Sequence, residues 1–400
     1  MHWTMAVSSA WLRPPTNRGH GCDAVDMGTD AWRNWNSFSE HDPETEYVDQ
    51  VLYSDRHFVG GPSTYGPYTL AAIIGRDRPL VLPVVRPAVR LHVGVHANLI
   101  PEVVVDGELV AANSDSYHGG TASDEIAALT SLSLGVRLRV AGTMLMSGIH
   151  EDGEEHQPID LEVAPLAHPG RPGHEYIPAA LSRPAHLGQL ERLDSFPKID
   201  EVAQIELIRA ARAYATGLWW SNEDQNQAWL QLVTAVEIAA NHRQKSLAAT
   251  PQELVEKLWP ELWTALKPAD EAVRTDVAKQ VAGLTRATRK FVDFLTECAP
   301  EPVALRPSVG ALDWSEMPAH ARLIYRHRSR ALHGGKPFPL PMLEMPHKEE
   351  NGAFQEVPWG MNTGGLGGVW DAKEAPMLLS TFEYIARGSL LRWWEELRGA

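Results

Sequence analysis

The strongest pattern in the chain lies in residues 318–336, which read PAHARLIYRHRSRALHGGK. A helix from Pro318 to His333 is predicted here, because proline suits the first helical turn and Gly334-Gly335 suits the C-terminal cap. The segment holds no acidic residue, although the whole chain of 400 residues carries a net charge of −15. Its positive charge is therefore a local exception, and it comes from Arg322, Arg326, Arg328, Arg330 and Lys336.

One of these arginines is predicted on the helix face that packs against the rest of the protein. At 100° per residue, Ala321, Ile324 and Ala331 form an apolar stripe, and Arg328 lies in the middle of it. An arginine is almost never fully buried without a partner. Arg328 therefore either pairs with an acid, for which Glu237 is the candidate, or lines a cleft or a subunit interface.

Residues 198–400 carry the periodicity of amphipathic helices. Apolar side chains recur at spacings of three and four within residues 202–219, 229–240, 273–295 and 379–397. One-sided helices with fairly short connections predict an all-α antiparallel bundle. A Pro/Gly-rich insertion at residues 336–375 interrupts this bundle, and loops of that length are usually functional or disordered.

Residues 56–190 have the texture of strands and turns. One helix is predicted among them, from a cap at Ser123 to a stop at Gly135. The strand signals are the β-branched runs Pro79–Val85 and Val89–Val95, a hairpin at Asp106-Gly107, and the half-exposed alternation Val136–Val140. This part is predicted as a β-rich N-terminal domain with a sensor or regulatory role, and five prolines between residues 165 and 184 mark its end.

The first 55 residues show scattered tryptophans without a period, and they are predicted as an irregular arm that packs its aromatics on another part of the chain. The fold class is therefore expected to be α+β: a β-rich domain at 56–190, followed by the helical domain at 198–400.

Composition excludes several classes of protein. An excess of acidic residues, 51 against 36 basic ones, argues against a generic nucleic-acid-coating protein. Only two cysteines are present, Cys22 and Cys298, so a disulfide scaffold is excluded and a reducing compartment is favoured. The N-terminus lacks the pattern of a secretory signal, and no segment has the length of a membrane span. We expect a soluble cytoplasmic protein that makes no contact with membranes.

The basic segment also resembles a known family. The element Tyr325-x-x-Arg328-Ser329-x-x-x-His333-Gly334 is similar to the signature of the Apea-like branch of the HEPN superfamily (higher eukaryotes and prokaryotes nucleotide-binding). The upstream run Trp229–Ile238, which includes Glu237, is similar to the opening helix of that family. The resemblance covers roughly residues 200–335, and the final helix less certainly.

This resemblance implies a metal-independent endoribonuclease without a cofactor, which cleaves cellular RNA, tRNA above all, and works as a homodimer. It implies catalytic roles for Arg328 and His333, supported by Glu237, Tyr325 and Ser329. RNA-binding roles fall to Arg322, Arg326, Arg330 and Lys336. The setting that it implies is prokaryotic defence against phage by abortive infection, with a protein or phage-derived trigger that would act on the N-terminal domain.

The spacing of the two catalytic candidates raises a geometric question. On an ideal helix, Arg328 and His333 point about 140° apart, because five residues separate them. His333 instead aligns with Arg326, seven positions earlier. Either the helix loosens near Gly334, or a second subunit closes the gap, or Arg326 is the catalytic arginine. The family match and the position of Arg328 in the stripe favour Arg328.

Other interpretations stay open. The arginines can be a solvated face, with His333 as an ordinary helix-end histidine favoured by the dipole. The bundle can be a non-catalytic HEPN dimer that binds RNA or a protein, or merely a dimeriser for an N-terminal ligand sensor. Two further histidine patterns, His150–His156 and His92/His96, are weaker candidates for a metal site, which is not predicted.

Overall fold

The computed structural model of the chain describes residues 30–39, 45–73, 85–96, 104–105, 108–109, 118–147, 175–178, 184–243, 250–360 and 362–399. Its strands are β1 (Thr45–Ser54), β2 (Phe58–Val59), β3 (Ser63–Tyr65), β4 (Tyr68–Ala72), β5 (Arg86–His96), β6 (Val104–Val105), β7 (Glu108–Leu109), β8 (Arg139–Ser147), β9 (Ala185–His186), β10 (Asn362–Gly365) and β11 (Gly368–Asp371). Its helices are α1 (Ala31–Ser37), α2 (Ala122–Leu134), α3 (Glu201–Trp220), α4 (Gln225–Arg243), α5 (Pro251–Leu258), α6 (Pro260–Leu266), α7 (Glu271–Cys298), α8 (Met317–Gly334) and α9 (Leu379–Gly399). A β-rich N-terminal part thus precedes a mostly helical part, and the α+β class predicted from the sequence is confirmed.

A five-stranded sheet with the order β3-β4-β5-β1-β8 forms the β-rich part. β1 pairs antiparallel with β5 on one side and with β8 on the other, so it is an interior strand. The prediction of an irregular arm up to residue 55 is therefore wrong for residues 45–54. The consecutive polar residues Asp49 and Gln50 interrupt the apolar residues of β1, so the strand lacks the regular alternation of a half-buried strand.

The remainder of the predicted arm contributes aromatic packing to the same region. α1 begins with Asp30 as N-cap, and Trp35 contacts Tyr68 of β4 and Phe196. Residues 1–29, with Trp3, Trp11 and Cys22, lie outside the described residues, as do the run at 79–84, most of the proline-rich exit and His150–His156.

The strands on either side of the predicted turn, β6 and β7, pair antiparallel, and Asp106-Gly107 itself lies outside the described residues. The predicted helix at residues 123–135 is present as α2, which Thr121 and Asp124 begin with a capping box and Gly135 ends. The alternating run Val136–Val140 differs from its prediction as a half-exposed strand. Arg137 is 1% exposed, because its guanidinium pairs with Asp55 and donates to the carbonyl of Leu218 on α3.

The helical part packs around α4. α3 and α4 are joined by four residues, and α4 also contacts α7, α8 and α9. The close approach of α3 to α4 depends on Gly217, where a Cβ atom would lie 2.9 Å from the side chain of Leu232. The predicted stripe on α4 is buried throughout: Trp229, Leu232, Val233, Val236 and Ala240 are at most 1% exposed.

The insertion at 336–375 is largely ordered against the helices. Phe338 and Met342 are buried, and the ring of Phe338 stacks on Trp229 at 5.2 Å between centroids. Beyond them the chain forms the hairpin β10–β11 and returns to α9. One buried apolar cluster runs from Ala31 to Trp394 and joins the sheet, α2 and the helices in a single core. Among the described residues, no helix combines the length and the apolar character required to cross a bilayer.

Candidate functional site

The basic segment forms a regular helix with a sharp end. α8 spans Met317–Gly334, with Pro318 in its first turn and Gly335 as its C-cap. Gly335 has φ +61°, the left-handed conformation in which a side chain is disfavoured, and its backbone N–H donates to the carbonyl of Arg330. This cap fixes where the helix stops, two residues after His333.

The face of α8 that packs on the bundle differs in detail from its prediction. Its buried residues are Met317, Ala321, Ile324 and His327. Arg328 keeps 20% of its side chain exposed, whereas His327, 100° away around the helix, is 5% exposed. His327 is buried where its imidazole meets the carbonyl of Glu374 at the end of the insertion.

Arg328 makes the ion pair that its position predicts. Its Nη2 lies 2.5 Å from Oε2 of Glu237 on α4, and only 14% of the Glu237 side chain is exposed. The phenol of Tyr325, one turn before Arg328, donates to the same carboxylate. The Arg328 guanidinium lies 5.7 Å from the centre of the Tyr325 ring, within the range of a cation–π contact. Glu237, Tyr325 and Arg328 thus form one polar cluster between α4 and α8.

Burial sets the electrostatics of this cluster. Burial raises the pKa of the Glu237 carboxyl, and the nearby Arg328 guanidinium opposes that rise. Burial, together with the Glu237 carboxylate, raises the pKa of Tyr325 to about 12. The phenol is therefore a permanent hydrogen-bond donor at neutral pH. Since Nε of Arg328 is buried and has no hydrogen-bond partner, this guanidinium retains an unused donor.

The outer face of α8 carries the remaining cations. Arg322, Arg326 and Arg330 follow one another at intervals of four residues, so they form a stripe along one side of the helix. All three are exposed, as are His333 and Lys336 at the C-terminal end. In the part of the chain that the structure describes, none of these five side chains forms a hydrogen bond or an ion pair. Ser329 is half-buried between this stripe and Arg328.

A single chain does not bring Arg328 and His333 together. α8 remains helical to Gly334, so the five-residue spacing leaves the two side chains on different sides of the helix. Arg328 faces Glu237, whereas His333 is exposed and follows Arg326 and Arg330 on the outer stripe. Within one chain, the cations nearest to His333 along the helix face are therefore those of the stripe.

His327 is the residue of this segment that the sequence argument missed. Its Nε2 lies 2.7 Å from the carbonyl oxygen of Glu374, so it joins α8 to the end of the insertion. Burial lowers the pKa of the imidazole, and the Glu374 carbonyl opposes that shift. Its place three residues after Ile324 was the available signal, because positions three apart are neighbours on a helix.

The weaker candidates have structural partners. Nδ1 of His92 lies 2.8 Å from Asp49, which also binds Arg90, and the imidazole stacks on Tyr47. Cys298 is buried, and burial raises the pKa of its thiol to about 11, as befits a core residue. Trp219, Trp393 and Trp394 are buried, whereas Trp220 and Trp259 remain partly exposed. No cluster of three histidine, cysteine or acidic side chains suited to a metal ion occurs within the described ranges.

The candidate site therefore has two layers on one helix: an inner cluster of Glu237, Tyr325 and Arg328, and an outer stripe that ends at His333. No family model matches the chain, and no curated protein or solved structure shows significant similarity to it.

Proposed function

We propose that this protein is a metal-independent endoribonuclease of the HEPN type that acts on cellular RNA, with tRNA as the leading substrate. The observation that carries the proposal is the arrangement on α8. This helix exposes a histidine beside unpaired arginines, in a chain whose net charge is −15. An acidic protein that keeps such a stripe free of acids has a surface suited to a polyanion.

The chemistry needs few groups, because RNA supplies its own nucleophile. A neutral His333 accepts the proton of the 2′-hydroxyl as its oxygen attacks the adjacent phosphorus. The bond to the 5′-oxygen breaks, and a protonated imidazole gives that oxygen its proton. The products are a 2′,3′-cyclic phosphate and a 5′-hydroxyl. Arg328 donates to the phosphate oxygens and stabilises the charge that develops on them.

The inner cluster has a positioning role in this scheme. Glu237 pairs with Nη2 of Arg328, and Tyr325 donates to the same carboxylate, so the two residues fix the position of a guanidinium whose side chain is 20% exposed. The outer arginines, Arg322, Arg326 and Arg330, together with Lys336, bind flanking phosphates.

A second copy of the chain completes the site, because Arg328 and His333 point to different sides of one helix. Leu332, next to His333, is 50% exposed, and an apolar side chain at that place suits a surface that another subunit covers. The proposed setting is defence against phage, in which the acidic surface of the chain limits indiscriminate contact with RNA until a trigger acts. This setting is supported by the family resemblance alone.

The test is incubation of the purified full-length protein with total tRNA in excess EDTA, followed by end-group analysis of the fragments. The wild type should leave cyclic-phosphate ends, and His333→Ala and Arg328→Ala should leave the tRNA intact. A matched control is Arg274→Ala, which removes an arginine of α7 that pairs with Glu271. Equal cleavage by all four proteins would place the activity elsewhere or in a contaminant.

A non-catalytic RNA-binding dimer is the second candidate, and one observation favours it. The Arg328 guanidinium already has an acid partner in Glu237, as a structural arginine would. On this account tRNA binds to the stripe, His333→Ala binds it as tightly as the wild type, and the wild type yields no fragments.

A further inference from the structure

A polar cleft lies where the β-rich part meets the bundle, and none of its lining residues belongs to α8. It has a volume of about 110 Å³, and α2, β8 and α3 form its walls. The side chains that give it its chemistry are Asp124, Arg139, Arg212, Thr216 and Trp219. Two guanidinium groups therefore line one small space.

The first guanidinium belongs to Arg139, the first residue of β8. It lies over the indole of Trp219, 5.0 Å from the ring centre, and this contact holds it at the wall of the cleft. Within the described part of the chain Arg139 forms no ion pair. Burial lowers its pKa, and Asp124 opposes the shift, but an arginine remains charged in proteins at neutral pH.

The second guanidinium belongs to Arg212 on α3. Its Nη1 is buried and has no hydrogen-bond partner, which is costly for a charged donor. The chain makes room for this group at Gly120, which has φ +75°. A Cβ atom at that position would lie only 2.0 Å from Nη1. Nη1 is thus enclosed beside Gly120, which holds the guanidinium in place while the Arg212 side chain lines the cleft.

One acid also lines the cleft. Oδ2 of Asp124 accepts hydrogen bonds from the backbone N–H and the hydroxyl of Thr121, at 2.8 and 3.1 Å, in the capping box of α2. Its carboxylate is therefore committed to the start of that helix. With two guanidinium groups against one carboxylate, the cleft keeps a net positive charge and lacks an anion to match it.

We propose that this cleft binds the phosphate group of a small phosphate monoester. A tetrahedral oxyanion has several acceptor oxygens, which can accept hydrogen bonds from both guanidinium groups, whereas the Thr216 hydroxyl at the wall already donates to the Arg212 carbonyl. A cleft of about 110 Å³ has room for a group of a few heavy atoms, since a single water needs only roughly 10–15 Å³ by a comparable measure. The site joins α2 and β8 to α3, so a bound ligand would hold these elements together. The inference does not depend on the ribonuclease proposal.

The experiment is isothermal titration calorimetry of the full-length protein at low ionic strength with inorganic phosphate, 5′-AMP and adenosine. Phosphate and 5′-AMP should bind and adenosine should not. Tighter binding of 5′-AMP identifies a nucleotide as the source of the group, and equal binding identifies free phosphate. Arg212→Gln and Arg139→Gln should each weaken binding roughly tenfold or more.

Arg209→Gln is the matched control, because Arg209 lies on the same helix, pairs with Glu206 and does not line the cleft. It should keep the wild-type affinity within about twofold. Arg212→Lys keeps the charge and the fold but loses the fork of donors, so it should bind more weakly than the wild type. Unchanged binding by Arg212→Gln with a native circular dichroism spectrum would overturn the proposal. So would a wild type that binds neither phosphate nor 5′-AMP at millimolar concentration.

Discussion

At the scale of single residues, the ion pair between Arg328 and Glu237 joins the basic helix α8 to α4 of the bundle. Both side chains are mostly buried, so each needs the other to compensate the cost of leaving water. Glu237→Gln keeps the shape and removes the charge, which leaves the Arg328 guanidinium partly buried without a counter-ion. We expect a loss of about 1–3 kcal/mol in the free energy of unfolding, measured by urea denaturation at neutral pH.

A double-mutant cycle checks the origin of that loss. Arg328→Met alone leaves the Glu237 carboxylate unpaired, and the double variant Glu237→Gln/Arg328→Met leaves neither charge buried. The double variant should lose less stability than the sum of the two single variants. Additive losses would mean that the two side chains do not interact in solution.

The sequence identified this pair because both residues interrupt apolar helical stripes. Arg328 follows Ile324 by four positions, and Glu237 follows Val233 and Val236 on α4. The burial of His327 was not predicted, because it depends on the Glu374 carbonyl, which lies 47 positions later in the chain. The unpartnered donor of Arg212 was not predictable either, since it depends on Gly120, which lies 92 positions away in the chain.

At the scale of elements, the outer stripe of α8 should dominate the salt dependence of RNA binding. Each phosphate contact adds a fixed increment to the slope of log Kobs against log salt, about 0.7 for single-stranded RNA. The triple variant Arg322→Gln/Arg326→Gln/Arg330→Gln should therefore lower that slope by about 2. The slope is measured by filter binding in EDTA, with His333→Ala as the background so that no RNA is cleaved.

The control removes the same number of charges from other helices, in the triple variant Arg274→Gln/Arg289→Gln/Arg398→Gln, whose arginines are paired with acids. Its slope should match that of the background. Equal slopes for the two triple variants would show that net charge, and not the stripe, governs binding.

The contact between α8 and the insertion should make stability depend on pH. Burial lowers the pKa of His327, so the folded state binds this proton less readily than the unfolded state. The stability that neutral His327 gives to the fold is fully present above the ordinary histidine pKa of about 6.5. It is lost as the pH falls below that value, and the free energy of unfolding decreases by at most about 1.4 kcal/mol per pH unit. Urea denaturation between pH 7.5 and 5.5 measures the decrease.

His327→Gln should flatten this decrease, because an amide can still donate to the Glu374 carbonyl but does not titrate. His333→Gln is the matched control, since His333 is an exposed histidine of the same helix. If the wild type and His327→Gln lose stability in parallel on acidification, His327 is not the group responsible.

At the scale of the whole molecule, the β-rich part and the bundle share one core. α2 is buried on nearly all sides, as expected for a helix between two layers, and Arg137 donates to the Leu218 carbonyl and the Ser221 hydroxyl at 2.6 Å each. Residues 1–190 alone would expose those surfaces. We expect this fragment to lack a cooperative thermal transition by circular dichroism, whereas the full chain has one. A cooperative transition of the fragment would support the view of an independent sensor domain.

The global arrangement was only partly predictable from the sequence. Helices are encoded by local periodicity, so the ends of α2 and α8 agree with their predictions within about two residues. The strand β1 was not predicted, because its own sequence contains polar residues that do not indicate a strand. Its hydrogen-bonded partners, β5 and β8, come much later in the chain. The sequence likewise did not indicate that the β-rich part and the bundle share one core, since this depends on the packing of α2 against α3.

The central claim is that Arg328 of one subunit and His333 of another form one ribonuclease site. Mixing the two inactive variants Arg328→Ala and His333→Ala tests it most directly, with tRNA cleavage in EDTA as the measurement. A mixed dimer contains one site with both residues intact, so an equal mixture should recover about a quarter of the wild-type rate after subunit exchange. A mixture that stays inactive, while wild-type protein treated in the same way cleaves tRNA, would contradict the claim.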